Sequence, residues 1–171
     1  GYESGSDNVL KLINKGTTKE QQILGGQNVK NAGMELSVYF MPGVGGQEFT
    51  EENAIETADV INQVEPNFVR IRTFAVKSET EIWYNIRDGK TTECSDVQKL
   101  KEIKILLENL DENLTTEIKS DHIINLLENI DGIISTDKDR LIGIIERFEK
   151  LSDQEKKYYQ QNPCTGRRLQ Y

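Results

Sequence analysis

The sequence has few of the residues that hold metal ions or cross-link small domains. Its two cysteines, Cys94 and Cys164, are far apart, and neither has a CxxC or cysteine–histidine spacing around it. This pattern excludes a zinc ribbon or a disulfide scaffold, and we predict that both thiols are reduced. His122 is the single histidine in the 171 residues. No metal site built from this chain alone is therefore expected.

Long apolar runs and an excess of basic charge are also missing. No stretch approaches the ~20 apolar residues that a membrane-spanning helix requires. Since no basic and then apolar leader resembles a signal peptide, the cytoplasm is the expected compartment. Acidic residues outnumber basic ones by 29 to 21, and the formal net charge of -8 repels phosphate backbones. Neither nucleic acid nor a membrane is expected as a partner, whereas a small-molecule substrate remains open.

The order of elements in the first half of the chain is typical of an α/β protein. Helices are predicted over residues 8–15 and 17–32, followed by a short strand over 35–41 that runs into the turn PGVGG. A helix opened by Thr50 extends to about Val64, and a second strand follows Pro66. Strand, glycine-rich turn, helix and strand form a βαβ unit. This unit predicts adjacent parallel strands with the helix crossing outside them.

The second half is predicted to be mainly helical. Ser95 and Gln98 form a capping box at the start of a long helix, and Thr136 starts the last long helix. Between these helices, one interpretation is a short strand over 115–121 followed by a short helix over INLLENIDG. No internal repeat is found.

Three segments carry a resemblance to a known family. GYESGSDNVLKLINKG, MELSVYFMPGVGG and EPNFVRIRTFAV, in this order and at these spacings, resemble the second half of the catalytic barrel of radical S-adenosylmethionine enzymes. The kind they resemble is the oxygen-independent coproporphyrinogen oxidase-like Fe-S oxidoreductases, and the resemblance covers roughly residues 1–155. The CxxxCxxC motif that holds the family's [4Fe-4S] cluster belongs to the first half of the barrel and does not occur here. The resemblance therefore implies that the chain begins partway through a longer protein.

The resemblance also implies a fold class and a division of the chain. We expect an α/β fold, namely a partial TIM-type (β/α) barrel with parallel strands and outer helices, plus C-terminal helices. Residues 1–93 would form the second half of the barrel, 94–155 the C-terminal helical part, and 156–171 a polar tail. The barrel strands are expected at residues 1–4, 35–41 and 68–74.

Ligands of such sheets bind at the carboxyl ends of the strands. By resemblance, Glu3 and Ser4 would contact the ribose of S-adenosylmethionine, and Lys15 would pair with its carboxylate at a position where relatives carry arginine. A lysine offers a point charge in place of the bidentate fork of arginine. The alternatives are a solvated acid in a turn for Glu3 and an exposed lysine at a helix end for Lys15.

The glycines of the PGVGG turn are a second set of cofactor candidates. Gly43, Gly45 and Gly46 permit a close backbone approach that a Cβ atom would block, which the family uses near the adenine and methionine groups. The alternative is an ordinary glycine-rich turn. The family often has a glutamate directly after this turn, whereas here Gln47 comes first and Glu48 second.

The segment after the second strand is expected to line both the cofactor and the substrate. The resemblance implies that Arg72, Phe74 and Val76 lie along the adenine edge, and an inward Arg72 could bind the carboxylate of a substrate. The alternative for Arg72 is a salt-bridged arginine on the barrel rim.

The SDHIIN segment supplies the remaining substrate-cavity candidates. It brings Asp121, His122 and Asn125 together at a strand-to-helix junction, and SDHxxN recurs in relatives of this kind. The alternative is that the lone histidine is a cap or a hydrogen-bonded structural residue. No catalytic residue is identified from the sequence.

Two classes of function stay open. In the first, the full-length protein is a radical enzyme that reductively cleaves S-adenosylmethionine and abstracts a hydrogen atom from a substrate. The missing N-terminal half of the same protein then supplies the [4Fe-4S] cluster, and this chain alone binds no cofactor and is inactive. In the second, the chain is a non-catalytic half-barrel binding or interaction domain. Because a cut barrel leaves an unpaired strand edge, a homodimer that covers this edge is also predicted.

Overall fold

A computed structural model describes residues 1–161 as an α/β fold with a four-stranded sheet. Cys164 and most of the predicted polar tail lie outside these residues. The helices of the described part are α1 (Asp7–Leu12), α2 (Lys19–Asn31), α3 (Thr50–Val64), α4 (Glu81–Arg87), α5 (Asp96–Asn109), α6 (Ile134–Glu149) and α7 (Asp153–Gln161). The strands are β1 (Ser37–Phe40), β2 (Phe68–Ile71), β3 (Glu117–Lys119) and β4 (Gly132–Ile133).

The sheet is mixed, with the strand order β1-β2-β3-β4. β1 pairs parallel with β2 and β2 pairs parallel with β3, so that Val38 lies beside Val69, and Val69 beside Ile118. The predicted pair of adjacent parallel strands joined by a helix is therefore confirmed. Both strands are shorter than predicted, because pairing covers four residues in each of them.

One face of the sheet forms the core with the helices. Side chains alternate along a strand, and the buried set of β1, β2 and β3 packs with α3, α5 and α6. The buried strand residues are Val38, Phe40, Val69, Ile71 and Ile118. The opposite face presents the other alternating set, which stays exposed or half-buried in the described residues. That set comprises Ser37, Tyr39, Phe68, Arg70, Glu117 and Lys119.

Local signals place several helix ends where the sequence predicts them. The capping box of Ser95 and Gln98 opens α5, and a second capping box of Thr18 and Gln21 opens α2. Thr50, however, is the first residue of α3 and not its cap, because a short 3-10 turn precedes the helix.

Three expectations are wrong in detail. The strand expected at residues 1–4 is a single parallel bridge between Glu3 and Phe40. The helix expected over INLLENIDG is a series of turns, which tertiary hydrogen bonds hold in place: the Asn125 amide donates to the carbonyl of Ile71, and the Asp131 carboxylate accepts from the N–H of Ser120. The last long helix begins at Ile134, two residues before Thr136.

Three elements were missed, and one of them is α7, which covers the start of the segment expected to be a polar tail. β4 adds an antiparallel edge to the otherwise parallel sheet, and its two residues are too few to show a periodic pattern. α4 begins after Thr80, whose hydroxyl accepts a hydrogen bond from the backbone N–H of Trp83. Its seven residues include no fully buried side chain, so no apolar face marks it in the sequence.

Candidate functional site

A cleft of about 490 Å³ opens at the carboxyl ends of the parallel strands. Met41 directly follows β1, Arg72 directly follows β2, and His122 lies three residues after β3. The cleft is lined by Glu3, Tyr39, Met41, Arg72, Thr73, Phe74, Ala75, His122 and Ile124. Its position matches the general rule for ligand sites in parallel sheets, and its volume is in the range of small-molecule pockets.

Glu3 is held at the cleft by the backbone of β1. Its N–H donates to the carbonyl oxygen of Tyr39 at 2.9 Å, and its own carbonyl accepts from the N–H of Met41 at 2.8 Å. Its φ of 61° is a left-handed value that a non-glycine residue adopts only under constraint. The Glu3 carboxylate forms an ion pair with Lys15. The two residues expected to contact ribose and carboxylate are thus brought together, and they contact each other.

Ser4 does not line the cleft and instead supports the GYESG segment. It is fully buried, and its hydroxyl accepts a hydrogen bond from the N–H of Ser6 at 3.0 Å. Gly5 lies directly against α3, where its N–H donates to the hydroxyl of Thr57 at 2.8 Å. A Cβ atom on Gly5 would be 2.4 Å from the carbonyl oxygen of Glu56. The motif therefore docks the start of the chain on a helix.

We expect Gly5→Ala to lower the free energy of unfolding by roughly 1–3 kcal/mol, as overpacking typically does, because the new Cβ overlaps helix backbone that has little room to shift. The matched control is Gly25→Ala in α2, where a Cβ meets nothing within 4 Å. Removing that exposed helical glycine is expected to raise stability by up to about 1 kcal/mol. Urea unfolding followed by circular dichroism measures both, and equal effects of the two variants would contradict the packing explanation.

The glycine turn is buried, and other parts of the protein pack against it. Gly43 and Gly46 have φ values of 85° and 69°, which favour glycine. A Cβ on Gly43, Gly45 or Gly46 would lie 2.9, 2.8 or 2.5 Å from a protein side chain, so each glycine permits a close approach within the fold. The contacted side chains are those of Lys99, Phe49 and Thr91. None of the three glycines is among the residues that line the cleft.

Arg72 is the best-connected cation of the cleft. Its Nη1 lies 2.7 Å from Oδ1 of Asp121, and its guanidinium stacks over the ring of Tyr39 at 5.0 Å from the centroid. Arg70 pairs with the other oxygen of the same carboxylate. Burial raises the pKa of Asp121, but the hydrogen bond and charge of Arg72 and the charge of Arg70 outweigh it, so this pKa lies below its usual value. The Asp121 carboxylate therefore stays ionised and orients both arginines.

His122 faces the same cleft as a neutral imidazole. Burial and the positive charge of Arg72 lower its pKa, while the negative charge of Asp121 opposes them. Its Nδ1 atom is buried and has no hydrogen-bond partner among residues 1–161. A buried polar atom without a partner is costly, so this nitrogen is available for a ligand group.

Asn125 and Val76, which were predicted to line the same region, do not line the cleft. Asn125 is 1% exposed and ties two strand ends together. Its Oδ1 accepts from the N–H and the hydroxyl of Thr73, and its Nδ2 donates to the carbonyl of Ile71 and the hydroxyl of Ser120. The SDHIIN segment thus combines a buried anchor, Asn125, with a cleft residue, His122, and with Asp121, which orients Arg72.

Sequence reasoning missed Glu102, a fully buried carboxyl group on α5. It accepts from the N–H of Gly43 at 2.9 Å and from the side-chain amide of Asn53. Burial raises its pKa to about 8, against the opposing effects of these two hydrogen bonds and the charge of Lys99. The sequence offers one signal for this burial, which is the helical spacing: Glu102 lies on the face of α5 that also carries the buried Ile103 and Leu106.

The donor groups of the described residues do not form a metal site. Cys94 is 3% exposed, and burial raises the pKa of its thiol, which disfavours the thiolate that metals bind. No group of three or more histidine, cysteine, aspartate or glutamate side chains within residues 1–161 could hold a metal ion. In the same residues, every helix is too short or too polar to cross a membrane.

Comparisons with known proteins find one similar sequence and one similar solved structure. No protein-family model matches the sequence. A tRNA-2-methylthio-N(6)-dimethylallyladenosine synthase of Syntrophus aciditrophicus (strain SB) is 27% identical over 146 residues, which is 80% of this chain and 31% of the synthase. The solved structure of archaeal Methanocaldococcus infernus Elp3 with an N-terminal deletion (1-46) has a TM-score of 0.59 and 22% identity, over 88% of this chain and 35% of that one. The chain spans about a third of the length of these relatives.

The sequence relative, the fold and the three motif segments agree with one another. The sheet with helices on one face matches a partial barrel of the radical S-adenosylmethionine type, and the aligned region covers most of the chain. The finer prediction, that the chain resembles the coproporphyrinogen oxidase-like kind, is not tested by these two proteins and stays a prediction. The chain is therefore similar in sequence to part of this synthase, and its α/β fold is similar to a partial barrel of the radical S-adenosylmethionine type.

Proposed function

We propose that the chain contributes part of the cofactor pocket and of the substrate cavity of a radical S-adenosylmethionine oxidoreductase. The observation that carries this proposal is the cleft of about 490 Å³ at the carboxyl ends of the strands. It combines the aromatic rings of Tyr39 and Phe74 with two charged groups, Glu3 and Arg72. A ligand with an apolar ring, hydroxyl groups and a carboxylate would find a partner for each part here.

The residues present fit the nucleoside and amino-acid parts of S-adenosylmethionine. The Glu3 carboxylate, held by the β1 backbone, would accept hydrogen bonds from the ribose hydroxyls, while Lys15 beside it would pair with the carboxylate of the cofactor. Phe74 would offer an apolar edge for the adenine. The buried, unpartnered Nδ1 of His122 is a further polar group at the cleft. On reductive cleavage, this cofactor supplies the group that abstracts a hydrogen atom from the substrate.

The residues present do not fit a [4Fe-4S] cluster. The cluster needs several thiolate ligands, and Cys94 is a buried thiol whose pKa is raised. We therefore propose that the cluster and the electron come from the N-terminal half of the same full-length protein. That half would also cover the sheet face that carries Tyr39 and Arg70. In its absence, a second copy of the chain could cover this face as a homodimer.

Arg72 is the residue we propose for binding an anionic group of the substrate. Its guanidinium is 20% exposed and is already oriented by the ionised Asp121 and the ring of Tyr39. A pre-oriented guanidinium loses little conformational entropy on binding a carboxylate in a bidentate manner. The neutral His122 beside it can accept a proton or a hydrogen bond at Nδ1. These two side chains would position the substrate without taking part in the cleavage of the cofactor.

No cofactor is expected to stay bound to the chain alone, but the proposed function predicts weak binding when the ligand is added at millimolar concentration. We expect S-adenosylhomocysteine, an unreactive analogue, to shift the backbone amide signals of Glu3, Met41 and Phe74 in ¹H–¹⁵N spectra with an affinity around 1 mM, about -4 kcal/mol. Phe74→Ala should weaken this binding by about twofold to tenfold, because an aromatic contact contributes about 0.5–1.5 kcal/mol. Leu24→Ala, on the exposed surface of α2, is the matched control and should bind like the unchanged chain.

Two results would contradict the cofactor assignment. One is the absence of shifts at the cleft at ligand concentrations about tenfold above 1 mM, where a site of this affinity would be about 90% occupied. The other is an equal effect of Phe74→Ala and Leu24→Ala on binding. Either result would favour the second class of function, a non-catalytic half-barrel domain.

A further inference from the structure

The glycine turn rests on a buried polar cluster that the proposed function does not use. Glu102 and Asn53 are both 0% exposed, one on α5 and the other on α3. The Glu102 carboxyl accepts from the N–H of Gly43 at 2.9 Å and from Nδ2 of Asn53, which also donates to the carbonyl of Met41 at 3.4 Å. One carboxyl and one amide thus hold the chain on both sides of Pro42.

The segment held in this way is bonded in turn to two cleft residues. The N–H of Met41 donates to the carbonyl of Glu3 at 2.8 Å, and the N–H of Phe74 donates to the carbonyl of Pro42 at 3.1 Å. Met41 itself lines the cleft. A displacement of the 41–43 segment would therefore move Glu3 and Phe74 with it.

The charged and titratable groups around Glu102 are few. On its own helix, Lys99 is 7% exposed, and its ammonium lies 3.7 Å from the Asp96 carboxylate. From α3, the neutral Asn53 faces it. The buried Cys94, in the segment before α5, is close enough for the charges of Glu102 and Lys99 to act on its thiol. With so little opposite charge nearby, the state of the carboxyl depends mainly on burial and on its two hydrogen-bond donors.

We propose that Glu102 is a positioning residue that fixes the 41–43 segment through Gly43 and Asn53, and thereby sets the positions of Glu3 and Phe74 in the cleft. This proposal depends on the proposed function in one respect only, namely that the cleft binds a ligand. The positioning itself is a property of the chain without ligand. Deleting the carboxyl removes the acceptor of a buried backbone N–H, and the segment must shift to satisfy it.

The first test is a pH titration of the unchanged chain followed by ¹H–¹⁵N spectra. The Gly43 amide signal is expected to move with an apparent midpoint near 8, which reports the ionisation of the group that it binds. In Glu102→Gln, which keeps an acceptor oxygen but cannot ionise, the Gly43 signal should not titrate. Glu108→Gln, at an exposed position of the same helix, is the matched control and should leave the titration unchanged.

The second test removes the acceptor. In Glu102→Leu, the Gly43 amide hydrogen should exchange with solvent about tenfold faster than in the unchanged chain, after correction for the change in global stability. The amide signals of Glu3 and Phe74 should shift. Glu102→Gln should restore the slow exchange, which a loss of packing alone would not explain.

The outcomes separate this proposal from the proposed function. A Gly43 signal that does not titrate between pH 6 and 10, or unchanged Glu3 and Phe74 signals in a folded Glu102→Leu, would overturn the positioning role. If Glu102→Leu does not fold, the test depends on whether the Gly43 amide signal titrates in the unchanged chain and fails to titrate in Glu102→Gln. Failure of S-adenosylhomocysteine to bind the unchanged chain would overturn only the cofactor assignment, because every readout here is made without ligand.

Discussion

Asn125→Ala is expected to lower the free energy of unfolding by roughly 3–4 kcal/mol. The asparagine is 1% exposed, and its side chain accepts from the N–H and hydroxyl of Thr73 while donating to Ile71 and Ser120. Its removal leaves several buried polar groups without partners, each of which costs about 1–3 kcal/mol, although the costs are not additive. Urea unfolding at a fixed pH measures the change.

The matched control for this substitution is Asn28→Ala. Asn28 is exposed on α2, and its replacement is expected to change stability by no more than about 0.5 kcal/mol. A loss of under about 1 kcal/mol in Asn125→Ala would contradict the anchoring role, because it would mean that water or a rearrangement replaces these hydrogen bonds. The anchor also carries Asp121 and His122, so we expect their signals to shift in the folded variant.

Raising the pH from about 5 to about 8 is expected to destabilise the chain through Glu102. The carboxyl has a pKa of about 8 in the fold against an ordinary value of 4.5, so the folded state binds more protons than the unfolded state between these values. Its stabilisation is complete below about pH 4.5 and is lost as the pH rises through 8. Since one pKa unit corresponds to about 1.4 kcal/mol, the expected loss is on the order of 4 kcal/mol.

The measurement is a series of urea unfolding curves across this pH range for the unchanged chain and Glu102→Gln. Other groups act in the same series: the lowered pKa of His122 makes stability rise with pH at the acidic end, and the lowered pKa of Asp121 acts at lower pH still. Both contributions are common to the two proteins and cancel in their difference. If the free energies of unfolding of the two proteins changed with pH in the same way, the result would contradict a raised pKa for Glu102.

The two predictions concern residues that hold different strand ends beside the same cleft. Asn125 holds the ends of β2 and β3, and Glu102 holds the turn after β1. Neither side chain lines the cleft. The residues that do line it, such as Glu3 and Arg72, stand on backbone that these two buried groups support.

Much of the candidate site follows from position along the chain. Arg72 and Phe74 were predicted at the working edge because their segment ends a strand of the predicted parallel sheet, and the family resemblance implied their roles and singled out His122. All three line one cleft. Whether they bind cofactor or substrate stays a prediction. Ser4, Asn125 and the turn glycines came from the same reasoning, yet their contacts are with other parts of the fold. Motif position indicates which segments meet, but it does not show which side chain points into the cleft.

The sequence by itself determined the features that depend on neighbouring residues. The capping box of Ser95 and Gln98, the end of α3 before Pro66 and the parallel pairing implied by the βαβ order are set by short-range hydrogen bonds, backbone restriction and connectivity. Only the tertiary structure decided the roles of Gly5, Glu102 and Asn125. Their partners lie about 50 or more positions away, so neither periodicity nor local propensity records the contact. A buried carboxyl and a solvated one look alike on a helix until the elements that cover them are in place.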